Sequence, residues 1–280
     1  CRQSSFLFGI AKMNSTLIRS QDGTELQRFQ WAADGEPKGN VLLVHGLGEH
    51  LQRYNHVAAA LRAAGYEVSG VDFRGHGLSK GRRGHVARWE NYVDDLRAAA
   101  DAIAQPFFLV AHSMGTLVSL DYLRGPHSAR AIALSGPLLG VAVEAPRWKT
   151  AAANLLSTLL PWISLSNELD ADDICSDPDV VKRYLDDPLT FHTITPRWFT
   201  EMLQALDRVN QCASDYRLPL WLHHGKQDKI ICHRSIETFV PLYGGPKEFH
   251  VWPEGKHEIF NENFQSEVLQ DLVRWLNLHA

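Results

Sequence analysis

Several large protein classes are excluded by what the chain lacks. It has no uninterrupted apolar run long enough to span a bilayer, so no transmembrane segment is expected. It has no basic tract, and 28 Lys and Arg against 32 Asp and Glu leave a net charge of −4, which argues against nucleic acid as a partner. Cysteine is scarce: Cys1, Cys175, Cys212 and Cys232 lie far apart with no Cys-x-x-Cys pair. That spacing suits neither a zinc site nor a disulfide framework, and free thiols in a reducing, cytoplasmic compartment are the expectation. None of the 14 histidines falls into a His-Glu-x-x-His or comparable spacing, so no metal is assigned. Internal repeats and low-complexity segments are also missing. What remains is a chain of 280 residues, 45% hydrophobic and 21% charged, able to bury a large core.

The chain is expected to open with a hairpin, in which "STLIRS" and "ELQRFQWAA" flank an Asp22-Gly23 turn. Residues 1–12 precede this pattern and are read as an upstream extension or an expression remnant. A processed lipoprotein also begins with cysteine, so anchoring at Cys1 is the second reading of this end. After the hairpin come six short apolar runs, "NVLLVHG", "YEVSGVDF", "PFFLVAH", "ARAIALSG", "LPLWLHHG" and "KEFHVWP". Helical patterns at 52–64, 89–104, 114–124, 233–243 and 264–278 separate most of them. Continuous apolar strands alternating with helices predict an α/β fold with a mostly parallel sheet covered on both faces. One interval of about eighty residues holds no convincing strand, far above the usual connection length. It is read as an inserted helical lid over 139–217, dividing the core into 13–138 and 218–280. Leu155, Leu156, Leu159, Leu160, Trp162 and Ile163 make it unusually apolar. It is expected both to pack its own small core and to line a pocket, with Leu159 and Trp162 as the acyl-chain wall.

In an open α/β sheet, ligands bind beyond the carboxyl ends of the strands. Ser113, Asp228 and His257 fall at three such ends, in the chain order Ser, Asp, His of α/β-hydrolases. A serine hydroxyl is a poor nucleophile unless a base takes its proton, a role for His257, with Asp228 holding the imidazole tautomer. Ser113 lies in "AHSMG", one residue away from Gly-x-Ser-x-Gly: Ala111 stands where a nucleophile elbow has glycine. The elbow is read as functional, with the extra methyl accommodated by the small neighbours of "LSG" at 134–136. A glycine-flanked turn in "LLVHGLGEHLQRY" can aim the Leu47 amide at a developing oxyanion, together with the amide of Met114. His223, His224 and His250 lie in strands and are read as structural, and His85, His127 and His279 as surface or loop residues.

Six stretches, "HGLGEHLQRY", "VDFRGHGLSKGRRGHV", "AHSMG", "DPDVVKRYLDDPL", "HHGKQDKI" and "EGKHEIFNE", together resemble the monoacylglycerol lipase and lysophospholipase group of serine hydrolases. The resemblance runs from about residue 25 to the C-terminus and keeps the order and spacing of every block. It implies an α/β-hydrolase fold with a helical cap, no cofactor, Ser113, Asp228 and His257 as the triad, and Leu47 and Met114 as the oxyanion amides. It also places Glu49, Arg53 and His112 near the site. For Glu49 and Arg53 a mutual surface ion pair of small value competes with a role in ordering the oxyanion loop and framing a glycerol site. The expected activity is hydrolysis of a small lipid ester, monoacylglycerol first, with a lysophospholipase or a general carboxylesterase as alternatives. Transient contact of the lid with a membrane or micelle is expected, with the enzyme otherwise cytoplasmic.

Overall fold

The structure is a computed structural model that describes residues 13–141 and 147–280, so the expected extension lies outside the described residues. The chain opens with β1 (Met13–Arg19) and β2 (Glu25–Trp31), an antiparallel pair in which Arg19 faces Glu25. Between them Gly23 takes φ +83, and the amide of Thr24 donates to Asp22 Oδ1 at 3.1 Å. The Asp-Gly signal thus marks the reversal, as a five-residue loop closed by Ser20 and Thr24. Then follow β3 (Gly39–Val44), α1 (Asn55–Ala63), β4 (Tyr66–Val71), α2 (Glu90–Asp101), β5 (Phe107–His112), α3 (Met114–Tyr122) and β6 (Ala129–Ser135). An insertion carries α4 (Arg147–Leu159), β7 (Leu165–Ser166), α5 (Pro178–Asp186), β8 (Thr193–Ile194) and α6 (Pro196–Gln211). The chain ends with β9 (Leu220–Gly225), α7 (His233–Leu242), β10 (Lys247–Trp252) and α8 (Gln265–Leu278).

Eight strands form one sheet in the order β1-β2-β4-β3-β5-β6-β9-β10, parallel from β4 onward. Period-two alternation sends successive side chains to opposite faces. Leu42, Val44, Leu109, Ala111, Ile132, Leu134 and Leu222 enter one core with Leu96 of α2, Leu117 of α3 and Phe239 of α7. Val41, Leu43, Phe108, Val110, Ala133 and Trp221 enter a second core with Leu61 of α1 and Trp275 of α8. Both faces are dry, which is why these strands read as continuous apolar runs. From β3 the chain winds to β4 on one side and then to β5 on the other. The crevice opened by that reversal is where such sheets bind ligands.

The insertion differs from the expected self-contained unit. Trp198, Met202, Ala205, Leu206 and Val209 of α6 belong to the main core, and a local cluster holds only Ile174, Cys175, Val180, Val181 and Tyr184. The cause is amphipathicity: α6 presents one apolar stripe, and the first core is the large apolar surface available to bury it. The helices α5 and α6 start where their sequence directs. Asp177 precedes Pro178 and accepts from the amide of Asp179 at 2.8 Å, and Thr195 precedes Pro196 and accepts from Trp198 at 3.2 Å. A two-residue ladder joins β7 to β8, too short to leave a periodic signal. The amide of Phe191 donates to the carbonyl of Gly48 at 3.0 Å and that of Thr195 to Gly84 at 2.8 Å, strapping the insertion to loops of the core. Among the described residues no helix is long and apolar enough to cross a membrane.

Candidate active site

Ser113 sits between β5 and α3 with φ +50 and ψ −123, a backbone conformation that side chains rarely adopt. The strain lifts its hydroxyl above the strand ends, and the surrounding chain sustains it. The Ser113 amide donates to Ser135 at 3.1 Å, and α3 folds back so tightly that a Cβ on Gly115 would lie 2.5 Å from the His45 carbonyl oxygen. Gly46 meets the same requirement from the other side: a Cβ there would be 3.0 Å from the Ser113 Cβ. Ala111 is paired with Val44 on one side and Leu134 on the other, and its methyl is buried in the first core beneath α3. The small residues Ser135 and Gly136 therefore adjoin His112 and His257 instead of Ala111. The strain is carried by Ser113, while the methyl of residue 111 points away from it into the core.

The three residues expected as a triad come together. His257 Nε2 is 2.9 Å from Ser113 Oγ, and His257 Nδ1 is 2.7 Å from Asp228 Oδ2. The other Asp228 oxygen accepts the amides of Ile230 and Ile231 at 2.8 and 3.0 Å. Burial raises the Asp228 pKa, but the His257 charge and hydrogen bond and the Ile231 amide outweigh it, and the carboxyl titrates below its ordinary value. For His257, burial lowers the pKa, yet the Asp228 charge and hydrogen bond prevail and the imidazole titrates above its ordinary value. Such a chain can move a proton from the serine hydroxyl to the imidazole while the carboxylate stays ionised.

The amides of Leu47 and Met114 donate to no acceptor among the described residues. That of Met114 opens α3, where the first N–H groups have no intrahelical partner. His45 holds the start of the Leu47 loop: its Nε2 accepts the Phe73 amide at 2.9 Å, so its proton is on Nδ1, facing the Gly46 carbonyl at 2.7 Å.

Glu49 and Arg53 lie behind this loop. Glu49 is buried, with Oε1 accepting the Gly46 amide at 2.6 Å and the Tyr54 hydroxyl at 2.7 Å, and Oε2 accepting Arg53 at 2.6 Å. Arg53 also forks onto both oxygens of Glu258 at 2.7 Å and lies 4.8 Å over the Tyr184 ring of α5. Both Glu49 oxygens and both terminal nitrogens of Arg53 are engaged by protein, so the pair is a buried network and not an exposed bridge. It ties the loop carrying Leu47 to the residue after His257. Burial raises the Glu258 pKa, but Arg53 brings it down to about 2, whereas burial leaves the Glu49 pKa raised. One guanidinium thus serves two buried carboxylates.

His112 is buried with its ring 4.7 Å from that of His257, and Nδ1 is 3.3 Å from Ser135 Oγ. Burial, with the His257 charge, pushes its pKa down to about 3, so it is a neutral wall behind the base. Leu159 and Trp162, expected to line an acyl pocket, are 61% and 54% exposed. The reason is the helical register: α4 turns Ser157 inward, where its hydroxyl meets Thr200 of α6 at 2.9 Å, and sends Leu155 and Leu159 outward. Among the described residues, no group of three or more His, Cys, Asp or Glu is placed to hold a metal ion.

Sequence reasoning passed over Tyr54, Glu258 and His50. Glu258 follows the base directly in "GKHEIF", a signal that was available; His50, 2.9 Å from Asp187 of the insertion, left none.

Comparison with known proteins gives these features a lineage. Residues 35–263 match the family model for Hydrolase_4, serine aminopeptidase, S33. A monoacylglycerol lipase of Mycolicibacterium smegmatis is 36% identical over 258 residues, 89% of this chain and 91% of the relative. The phospholipase YtpA of Bacillus subtilis is 27% identical, covering 86% of this chain and 96% of its own. The crystal structure of a Paleococcus ferrophilus monoacylglycerol lipase superposes with a TM-score of 0.85 at 30% identity, covering 91% of this chain and all of that one. The chain belongs to the Hydrolase_4 family and is a serine hydrolase of the α/β-hydrolase fold, in its monoacylglycerol lipase group.

Proposed function

We propose that Ser113, His257 and Asp228 form a catalytic triad that hydrolyses monoacylglycerols and similar single-chain acyl esters. The observation that carries this reading is the continuous hydrogen-bonded chain from Ser113 Oγ through His257 to Asp228 at 2.9 and 2.7 Å, on a strained elbow. In the proposed sequence, Ser113 Oγ attacks the ester carbonyl carbon as His257 Nε2 takes its proton. The oxyanion is held by the Leu47 and Met114 amides. His257 then protonates the departing glycerol oxygen, leaving an acyl-serine. Water adds to that carbonyl with its proton passing to His257, and fatty acid leaves as the proton returns to Ser113. Asp228 stays charged throughout and stabilises the imidazolium.

The substrate class is supported by the likeness to the Mycolicibacterium and Paleococcus monoacylglycerol lipases. A lysophospholipase is the second reading, favoured by the likeness to the Bacillus phospholipase. Leu155, Leu159, Leu160, Trp162 and Leu165 are exposed apolar side chains close together in the sequence of the insertion, which supports transient contact with a membrane or micelle, where such substrates reside. A hydrolysis panel tests the substrate assignment. Monoacylglycerols with medium or long chains should exceed diacylglycerols, lysophosphatidylcholine and short p-nitrophenyl esters in kcat/KM. Faster turnover of lysophosphatidylcholine would transfer the assignment to the second reading.

A further inference from the structure

Behind the proposed triad lies an imidazole that the mechanism above does not use. His224, next to last in β9, is fully buried, and neither of its ring nitrogens has a hydrogen-bond partner. A buried imidazole with both nitrogens unpartnered is costly and calls for an explanation. Its surroundings supply one. Nδ1 lies 3.6 Å from Asp228 Oδ2, the same oxygen that accepts from His257. The face of the ring stacks on His233 of α7 at 5.2 Å and 17°, and His233 Nε2 is in turn 3.3 Å from Glu237. The charged and titratable groups facing His224 are therefore Asp228, His257 and His233, with Glu237 beyond. Burial brings its own pKa down to about 4, so the ring is neutral at neutral pH and carries one proton.

We infer that His224 is a positioning residue that carries its proton on Nδ1 and presents that N–H to Asp228 Oδ2. The inference rests on the triad reading. At 3.6 Å the contact is longer than a hydrogen bond and acts as a dipole on a buried charge. The dipole stabilises the ionised carboxylate and draws its charge partly away from His257. It therefore moderates the basicity of His257, which Asp228 alone would set higher. Ile230 and Ile231 fix one carboxylate oxygen, and His224 and His257 share the other. The sequence placed His224 among structural histidines; the geometry assigns it to the proton-transfer system.

Two measurements test this. In the native protein labelled with 15N-histidine, NMR should find His224 as the neutral Nδ1–H tautomer. In His224→Phe, of similar shape and without a donor, the acid limb of kcat/KM should move to higher pH by about half a unit, roughly threefold at a fixed pH on that limb, with KM little changed. An Nε2–H tautomer, or a His224→Phe limb that coincides with the native one, overturns the inference. If His224→Phe fails to fold, the tautomer decides alone. Failure of the triad itself would look different, because His257→Ala would then keep its activity.

Discussion

At position 111 a single methyl group decides how closely β5 passes beneath α3. Alanine fits because its side chain joins Val44 and Leu134 in the first core, on the side of the strand covered by the helix that starts at Met114. Ala111→Gly should keep most activity and cost on the order of 1 kcal/mol of stability through backbone freedom. Ala111→Val should overpack the contact by roughly 1–3 kcal/mol and shift the elbow, lowering kcat more than it raises KM. Thermal unfolding and ester kinetics on the two variants check this, and a valine variant with native turnover would show that the helix has room to move. The residue scale is also where sequence reading is most uneven. Ser113 was legible because its chemistry imposes a local pattern of small residues. The partners of Arg53 were not: Glu258 is 205 positions away, and only the folded sheet brings the two together. Spacing alone left a surface ion pair and a loop-ordering role both open for Glu49 and Arg53, because i,i+4 geometry is the same whether a helix turn is wet or dry.

Among the elements, α4 and the chain following it stand apart. Core helices here bury most of their leucines, Leu242 at the end of α7 and Leu278 at the end of α8 excepted, yet Leu155, Leu159, Leu160, Trp162, Leu165 and Leu169 all remain exposed within one short interval, while α6 beside them is drawn into the main core. The apolar content of this interval was visible in the sequence; its direction was not, because a leucine-rich turn has the same composition whichever way it faces. The register was set instead by Ser157 on Thr200 and by the Arg197 guanidinium donating to the Ser157 carbonyl at 2.8 Å. If the exposed face serves contact with lipid aggregates, Leu159→Asp and Trp162→Ala should weaken binding to phosphatidylcholine vesicles and slow turnover of micellar long-chain monoacylglycerol several-fold. Turnover of a soluble short-chain ester should stay unchanged, since neither side chain is tied to the catalytic chain. A desolvated Trp or Leu side chain is worth about 1.5–3 kcal/mol, enough to see in a sedimentation assay. Equal loss on soluble and micellar substrates would instead mean that the face supports the fold.

At the scale of the whole molecule, the sheet acts as a positioning device. The turns after β3 and β5 supply Leu47 and Ser113, and the loops following β9 and β10 supply Asp228 and His257. That arrangement was legible from the order of apolar runs and from the residue types that follow them, since parallel strands place all their carboxyl ends on one edge. The way these loops are joined was hidden. Arg53 ties the turn after β3 to the loop after β10 through two carboxylates and reaches the insertion through Tyr184. Asp187 on His50 and Phe191 on Gly48 add two more links from the insertion to the same turn. Contacts of this kind depend on three dimensions and have no periodic trace. The account as a whole stands on Ser113 being the nucleophile. Its most direct test is to treat the native protein and Ser113→Ala with a fluorophosphonate probe and to follow monoacylglycerol hydrolysis alongside. The account predicts a single acylable serine, with labelling lost and turnover reduced by about 10⁶-fold in the variant, as for other enzymes stripped of a nucleophilic serine. Labelling or turnover that persists in Ser113→Ala would contradict it.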